Sequence, residues 1–126
     1  MKRYEKVSMT DIEPVPCPCG MTRRAFADLP EKTASIHLVE IRADAQVHYH
    51  ERLTEIYLIL EGEGFMELDG ELVPVKPMDA VFIRPLCCHR AVGKMKVINI
   101  PIPAFDPSDE HPGVPPAATR ARDSVQ

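Results

Sequence analysis

At 126 residues the chain is long enough for one domain with its own hydrophobic core. Hydrophobic residues at 44% and charged residues at 27% are ordinary globular values, and a formal net charge of −4 argues against nucleic acid as the main partner. Trp is absent, no stretch approaches the apolar length of a membrane span, and the charged first six residues lack the apolar core of a secretory signal. The expectation is a cytoplasmic protein that binds neither nucleic acid nor membrane.

Residues 1–33 carry Pro14, Pro16, Pro18 and Pro30. Proline at alternate positions favours an extended conformation outside a ladder, so this stretch reads as an N-terminal arm, laid over the domain or exchanged with a partner subunit. The cysteines fall as Cys17-Pro18-Cys19 and Cys87-Cys88. Neither pair has the two-residue spacing of a typical structural zinc site, and reduced thiols are expected.

Residues 34–102 read as a run of short strands. In 34–42, His37, Val39 and Ile41 share the face assigned to the interior. Strands over 46–50 and 55–61 follow, then a turn or bulge at Gly62-Glu63-Gly64 and a strand over 65–68. Asp69-Gly70 is a strong hairpin signal that returns the chain as 72–75. Further strands are predicted over 80–83, 88–92 and 96–100. Many short strands with turn signals between them predict an all-β antiparallel sandwich or barrel. Ile56, Leu58 and Leu60 form an apolar face opposite Glu55, Tyr57 and Ile59, so this strand needs cover on both sides and a homodimer is expected. Residues 103–126 form a Pro-rich tail, pinned by Phe105 and disordered beyond His111, which makes His111 a poor ligand candidate.

The chemistry concentrates in a few positions. His48 and His50 leave the same face of a strand, whereas on a helix they would diverge. Glu55 opens an apolar strand, where an unpaired charge is expensive to bury. If the chain doubles back, its carboxylate meets both imidazoles, a set that suits a divalent first-row metal. Glu51 is the alternative carboxylate, but the period of two turns it away. From Asp79 to His89 the order turn, strand, proline break, strand can return His89 to the same pocket.

Around this site, Tyr57 is a candidate general acid or pocket lining. His37 is a supporting pocket group or an ordinary buried histidine. Arg84 is an anion clamp at the mouth or a solvated arginine, and Cys87 a redox-sensitive neighbour or a small buried hydrophobe. No Gly-rich phosphate loop, nucleophile elbow or helix-turn-helix is present in the sequence.

These residues resemble the motifs of the cupins, in particular small single-domain bacterial members. The first motif, Gly-x5-His-x-His-x(3,4)-Glu-x6-Gly, is met by His48, His50, Glu55 and Gly62, with Arg42 replacing the leading Gly. The second, Gly-x5-Pro-x-Gly-x2-His-x3-Asn, keeps its length and His89. Met78, Arg84, Leu86 and Gly93 stand at its Gly, Pro, Gly and Asn. The resemblance covers roughly residues 34–100. It implies an antiparallel jelly-roll barrel, usually dimeric. It also implies one divalent transition metal ion (Fe, Mn, Ni or Zn) held by His48, His50, Glu55 and His89, with about two positions open. Three functions fit a small-molecule ligand there. The first is an enzyme acting on a sugar, sugar acid or keto acid by isomerisation, epimerisation or elimination. The others are a non-haem Fe(II) dioxygenase and a non-enzymatic module that binds or senses a small metabolite.

Overall fold

Alternating burial sorts the strands into two facing sheets. A computed structural model of the chain describes residues 2–116, so the tail beyond residue 116 lies outside the described residues. The strands are β1 (Val15–Cys17), β2 (Gly20–Ala25), β3 (Ile36–Ile41), β4 (His48–Tyr49), β5 (Thr54–Glu61) and β6 (Gly64–Leu68). They continue as β7 (Glu71–Val75), β8 (Ala80–Ile83), β9 (His89–Val92), β10 (Met95–Ile102) and β11 (His111–Pro112). One sheet runs β1-β2-β3-β10-β5-β8 and the other β11-β4-β9-β6-β7, an antiparallel jelly-roll barrel. On β3 and β5 every second residue is buried, which brings Val39, Ile41, Tyr57 and Ile59 against Met66, Val75 and Ala91 of the other sheet. Burying each large apolar side chain stabilises the fold by about 1.5–3 kcal/mol. Among the described residues no helix is long and apolar enough to cross a membrane.

The N-terminal stretch differs from the expectation. Residues 15–25 are in the ladder: β2 pairs along β3 from Gly20↔Ile41 to Ala25↔Ile36, and β1 closes the edge. Pro16 is tolerated because an edge strand leaves one side without ladder bonds. The start of the tail also departs from its composition. A short 3-10 turn (Pro107–Asp109) buries Asp109, and β11 then pairs with β4.

Turn geometry explains the weak second motif. Met78 and Leu86 both have φ of 74°, so the backbone keeps the left-handed conformation at the two positions where cupins place glycine. A side chain there costs about 1–2 kcal/mol. Leu86 is held by its N–H, which donates to the His50 carbonyl at 2.7 Å. Met78 is 74% exposed, so its side chain contributes little packing. Met78→Gly is therefore expected to stabilise the protein by about 1 kcal/mol, read as a higher urea midpoint. Gly62 (φ 85°) was kept for a further reason: an added Cβ would lie 2.5 Å from the Lys94 carbonyl oxygen.

Candidate metal centre

Four side chains from three strands and one loop meet inside the barrel. His48 lies on β4 and pairs across to His89 at the head of β9. His50 follows β4 directly, and Glu55 points inward from β5. The ring centroids are 4.4 Å apart for His48–His89, 5.4 Å for His48–His50 and 5.5 Å for His50–His89.

Backbone carbonyls orient all three rings. Nδ1 of His48 donates to Gln46 O at 3.0 Å, Nδ1 of His50 to Asp109 O at 2.8 Å, and Nδ1 of His89 to Cys87 O at 2.9 Å. A carbonyl only accepts, so each Nδ1 carries the ring proton and each Nε2 presents a lone pair. Glu55 Oε1 stands 3.0 Å from His50 Nε2 and 2.8 Å from His89 Nε2. Yet these three atoms are buried and make no hydrogen bond of acceptable geometry. Lone pairs facing one another at such distances require a shared positive charge.

A proton can supply that charge. Burial alone would push the His50 pKa down, but the Glu55 carboxylate beside it raises it. Burial likewise pushes Glu55 up, and the His50 and His89 contacts hold its carboxyl far below the usual range. His48 is lowered, by burial first and then by His89. A divalent cation supplies the charge better, because it meets all four donors at once. The four ligand atoms lie within 4.8 Å of one another, a cluster that can hold a metal ion. Asn99 Nδ2 donates to Glu55 Oε2 at 2.8 Å, which fixes the carboxylate and leaves Oε1 for the centre.

A cupin-domain profile matches residues 36–100. This chain belongs to the cupin family. The solved structure of a protein from Planctomyces limnophilus is similar, with 38% identity and a TM-score of 0.80 over 86% of this chain and 96% of that one. Pac13 of Streptomyces, described as a nucleoside dehydratase, shares the fold at 20% identity and a TM-score of 0.77, covering 88% of this chain and 92% of its own. An uncharacterized protein of Methanocaldococcus jannaschii is 40% identical over 53 residues, which is 42% of each chain, so this cupin matches less than half of that relative.

Beside the cluster this cupin has a cavity of about 290 Å³ whose lining includes His48, Glu55, His37, Arg24, Asn99 and Phe105. His37 thus reaches the pocket. The other outer candidates do not. Arg84 is exposed and stacks over Phe82, 5.3 Å from its ring centroid, because Phe82 points out of the barrel. Cys87 packs against the core, where burial and Asp69 push its thiol up to about 12; its service to the site is the carbonyl that holds His89. Tyr57 sits in the core cluster, 6.3 Å from the His89 ring, and burial followed by Glu55 keeps it a neutral phenol. Its position on the Glu55 face is as expected, and it packs in the core beside the cluster. Glu51 points away from the centre and meets His111 at 2.9 Å.

Asn99, Arg24 and Asp109 escaped the sequence reading. Asn99 left a signal, an amide at inward parity within an apolar strand. Arg24 was hidden by the arm assignment, and Asp109 by its place in a Pro-rich tail.

His37 gives the pocket a pH signature. Burial, then the charge of Arg24, lowers its pKa from 6.5 to about 4. The unfolded chain therefore takes up this proton first, so the stability is fully present above pH 6.5 and lost as pH falls through about 4. The loss amounts to about 3 kcal/mol. Urea midpoints measured over that range are expected to fall more steeply for the wild type than for His37→Phe.

Proposed function

We propose that this cupin is a metal-dependent enzyme acting on a small polar metabolite, a sugar, sugar acid or keto acid, by isomerisation, epimerisation or elimination. One observation carries the reading. Nε2 of His50, Nε2 of His89 and Oε1 of Glu55 are buried, unbonded and convergent, at a cavity of about 290 Å³ that His48 and Glu55 help to line. The cavity lies at the small end of the range that ligands occupy.

A divalent ion held by His48, His50, Glu55 and His89 would polarise a substrate oxygen and lower the pKa of bound water. The protein supplies the remainder. Carbonyl bonds hold the ring proton of three imidazoles on Nδ1 and aim each Nε2 at the centre, Glu55 would offset part of the ion's charge, and Asn99 fixes that carboxylate. Apolar walls formed by Val39, Val47 and Phe105 limit water at the reacting end. The dehydratase activity named for Pac13 favours elimination within this range, on the strength of a shared fold.

The test begins with elemental analysis of protein purified without added metal. Samples loaded with Fe, Mn, Ni or Zn are then incubated with sugars, sugar acids and keto acids and followed by NMR. Metal-dependent conversion without oxygen uptake supports the proposal. Oxygen consumption restricted to the Fe(II) form would assign a dioxygenase, and ligand exchange without chemical change a binding module.

We also infer a homodimer, through the outer face of the six-stranded sheet. Ile56, Leu58 and Leu60 are only half-buried there, and neighbouring Phe82 is 57% exposed. Sedimentation equilibrium reads the mass directly, and a monomer at micromolar concentration overturns this inference.

A further inference from the structure

Three adjacent strands each place a polar side chain on one inward row. The register sets Arg24 of β2 beside His37 of β3, and His37 beside Asn99 of β10. The neighbouring inward row reads Thr22, Val39, Val97 and then Ile59 of β5. Arg24 is exposed at the rim of this row, whereas His37 is buried and Asn99 half-buried where the next row has Val39 and Val97; an imidazole and an amide there cost desolvation, and such local expense marks functional positions. All three residues line the cavity next to His48 and Glu55.

Hydrogen bonds fix what each group offers. The Phe105 N–H donates to Ser35 Oγ at 2.9 Å, and Ser35 Oγ lies 2.8 Å from His37 Nε2. The hydroxyl accepts from Phe105 and can give its one hydrogen to Nε2, and in that tautomer the ring proton of His37 sits on Nδ1. Among the described residues no acceptor meets that Nδ1–H. Asn99 spends Nδ2 on Glu55 and keeps Oδ1 as a buried acceptor without a partner. Arg24 rests on the face of Phe105, 5.0 Å from the centroid, with no ion-pair partner among the described residues. Glu110 marks the other wall, 3.9 Å from His48 Nε2. An anion is thus repelled at the Glu110 side and drawn to the β2 side.

We propose that Arg24, His37 and Asn99 form a recognition row that selects a small hydroxy monocarboxylate. Its carboxylate pairs with the Arg24 guanidinium, with one oxygen accepting from His37 Nδ1–H. Its hydroxyl donates to Asn99 Oδ1 beside the metal ligands. The planar two-oxygen fork of a carboxylate matches a guanidinium, and the apolar walls suit a short carbon chain. The orientation of the ligand rests on the metal-dependent reading; the choice of a carboxylate does not.

The test titrates zinc-loaded and metal-free protein, followed by protein-detected NMR, with glycerate, 3-hydroxybutyrate and their amides. Acids are expected to bind the wild type at least about tenfold more tightly than amides, and Arg24→Met to erase that preference. His37→Phe should weaken acid binding about tenfold, while His37→Gln, which keeps an N–H, should recover most of it. Zinc stoichiometry should be unchanged in all three variants, which also shows that they fold. Wild-type protein that binds neither acid, or binds amides equally well, overturns the proposal, as does a preference that survives Arg24→Met. Zinc stoichiometry well below one ion per chain in the wild type would instead sink the metal reading, and the acid preference would still be measurable on the metal-free chain.

Discussion

His89→Ala is expected to lower zinc affinity about a hundred- to a thousandfold while leaving the barrel folded. Four-ligand zinc sites bind with apparent free energies of about 10–16 kcal/mol at neutral pH, so one ligand's share of about 2.5–4 kcal/mol corresponds to about two to three orders of magnitude. His89 is a strong choice because it is 1% exposed and pairs directly with His48. Its loss also leaves Glu55 Oε1 with His50 as the sole close imidazole. The barrel is expected to survive because a proton shared between His50 and Glu55 can supply the charge in place of the ion. At the same zinc concentration the ion should accordingly raise the melting temperature of the wild type much more than that of His89→Ala, since the shift follows binding to the native state. Elemental analysis after dialysis is the second readout. One ion retained per chain in the variant would show that His89 is not a ligand.

How far the sequence was legible follows from which features are local. Strand existence and face were readable because a period of two needs only a few residues: His37, Val39 and Ile41 are buried, as are Glu55, Tyr57 and Ile59. Asp69-Gly70 was readable because its left-handed backbone (φ 49° and 86°) demands those residue types. His48 and His50 share a face by spacing, and Glu55 stands out as a charge in an apolar run. The second motif was hard to read because Met78 and Leu86 keep the glycine conformation without the glycine. Nothing local distinguishes such strained positions from ordinary ones. The recognition row needs β2 and β10 both placed beside β3, and the alternate prolines concealed β2. Arg84 was left open between the pocket mouth and solvent for the same kind of reason, since its side depends on where the strand ends and not on its period.

Asp109→Ala is expected to destabilise the protein by about 3–5 kcal/mol and to weaken metal binding about 10–100-fold. The Asp109 side chain is buried, and its carboxylate accepts three backbone N–H bonds: Glu51 at 3.0 Å, Arg52 at 2.9 Å and Leu53 at 3.1 Å. Burial would raise its pKa, but these donors more than offset that and hold the carboxyl below its usual value. The three donors belong to the loop joining His50 to Glu55, and the Asp109 carbonyl also receives the His50 Nδ1–H at 2.8 Å. One residue from the tail therefore sets both the spacing of two ligands and the tilt of one. Alanine leaves three N–H groups unsatisfied and lets that loop relax, so stability and metal affinity should fall together. Asp109→Asn keeps an oxygen but turns an NH2 group toward donors, and should lie between alanine and wild type. Urea unfolding of the metal-free chain measures the first effect, and competitive zinc titration the second. A loss of stability with unchanged zinc affinity would mean that the barrel strands alone hold His50 and Glu55 in register.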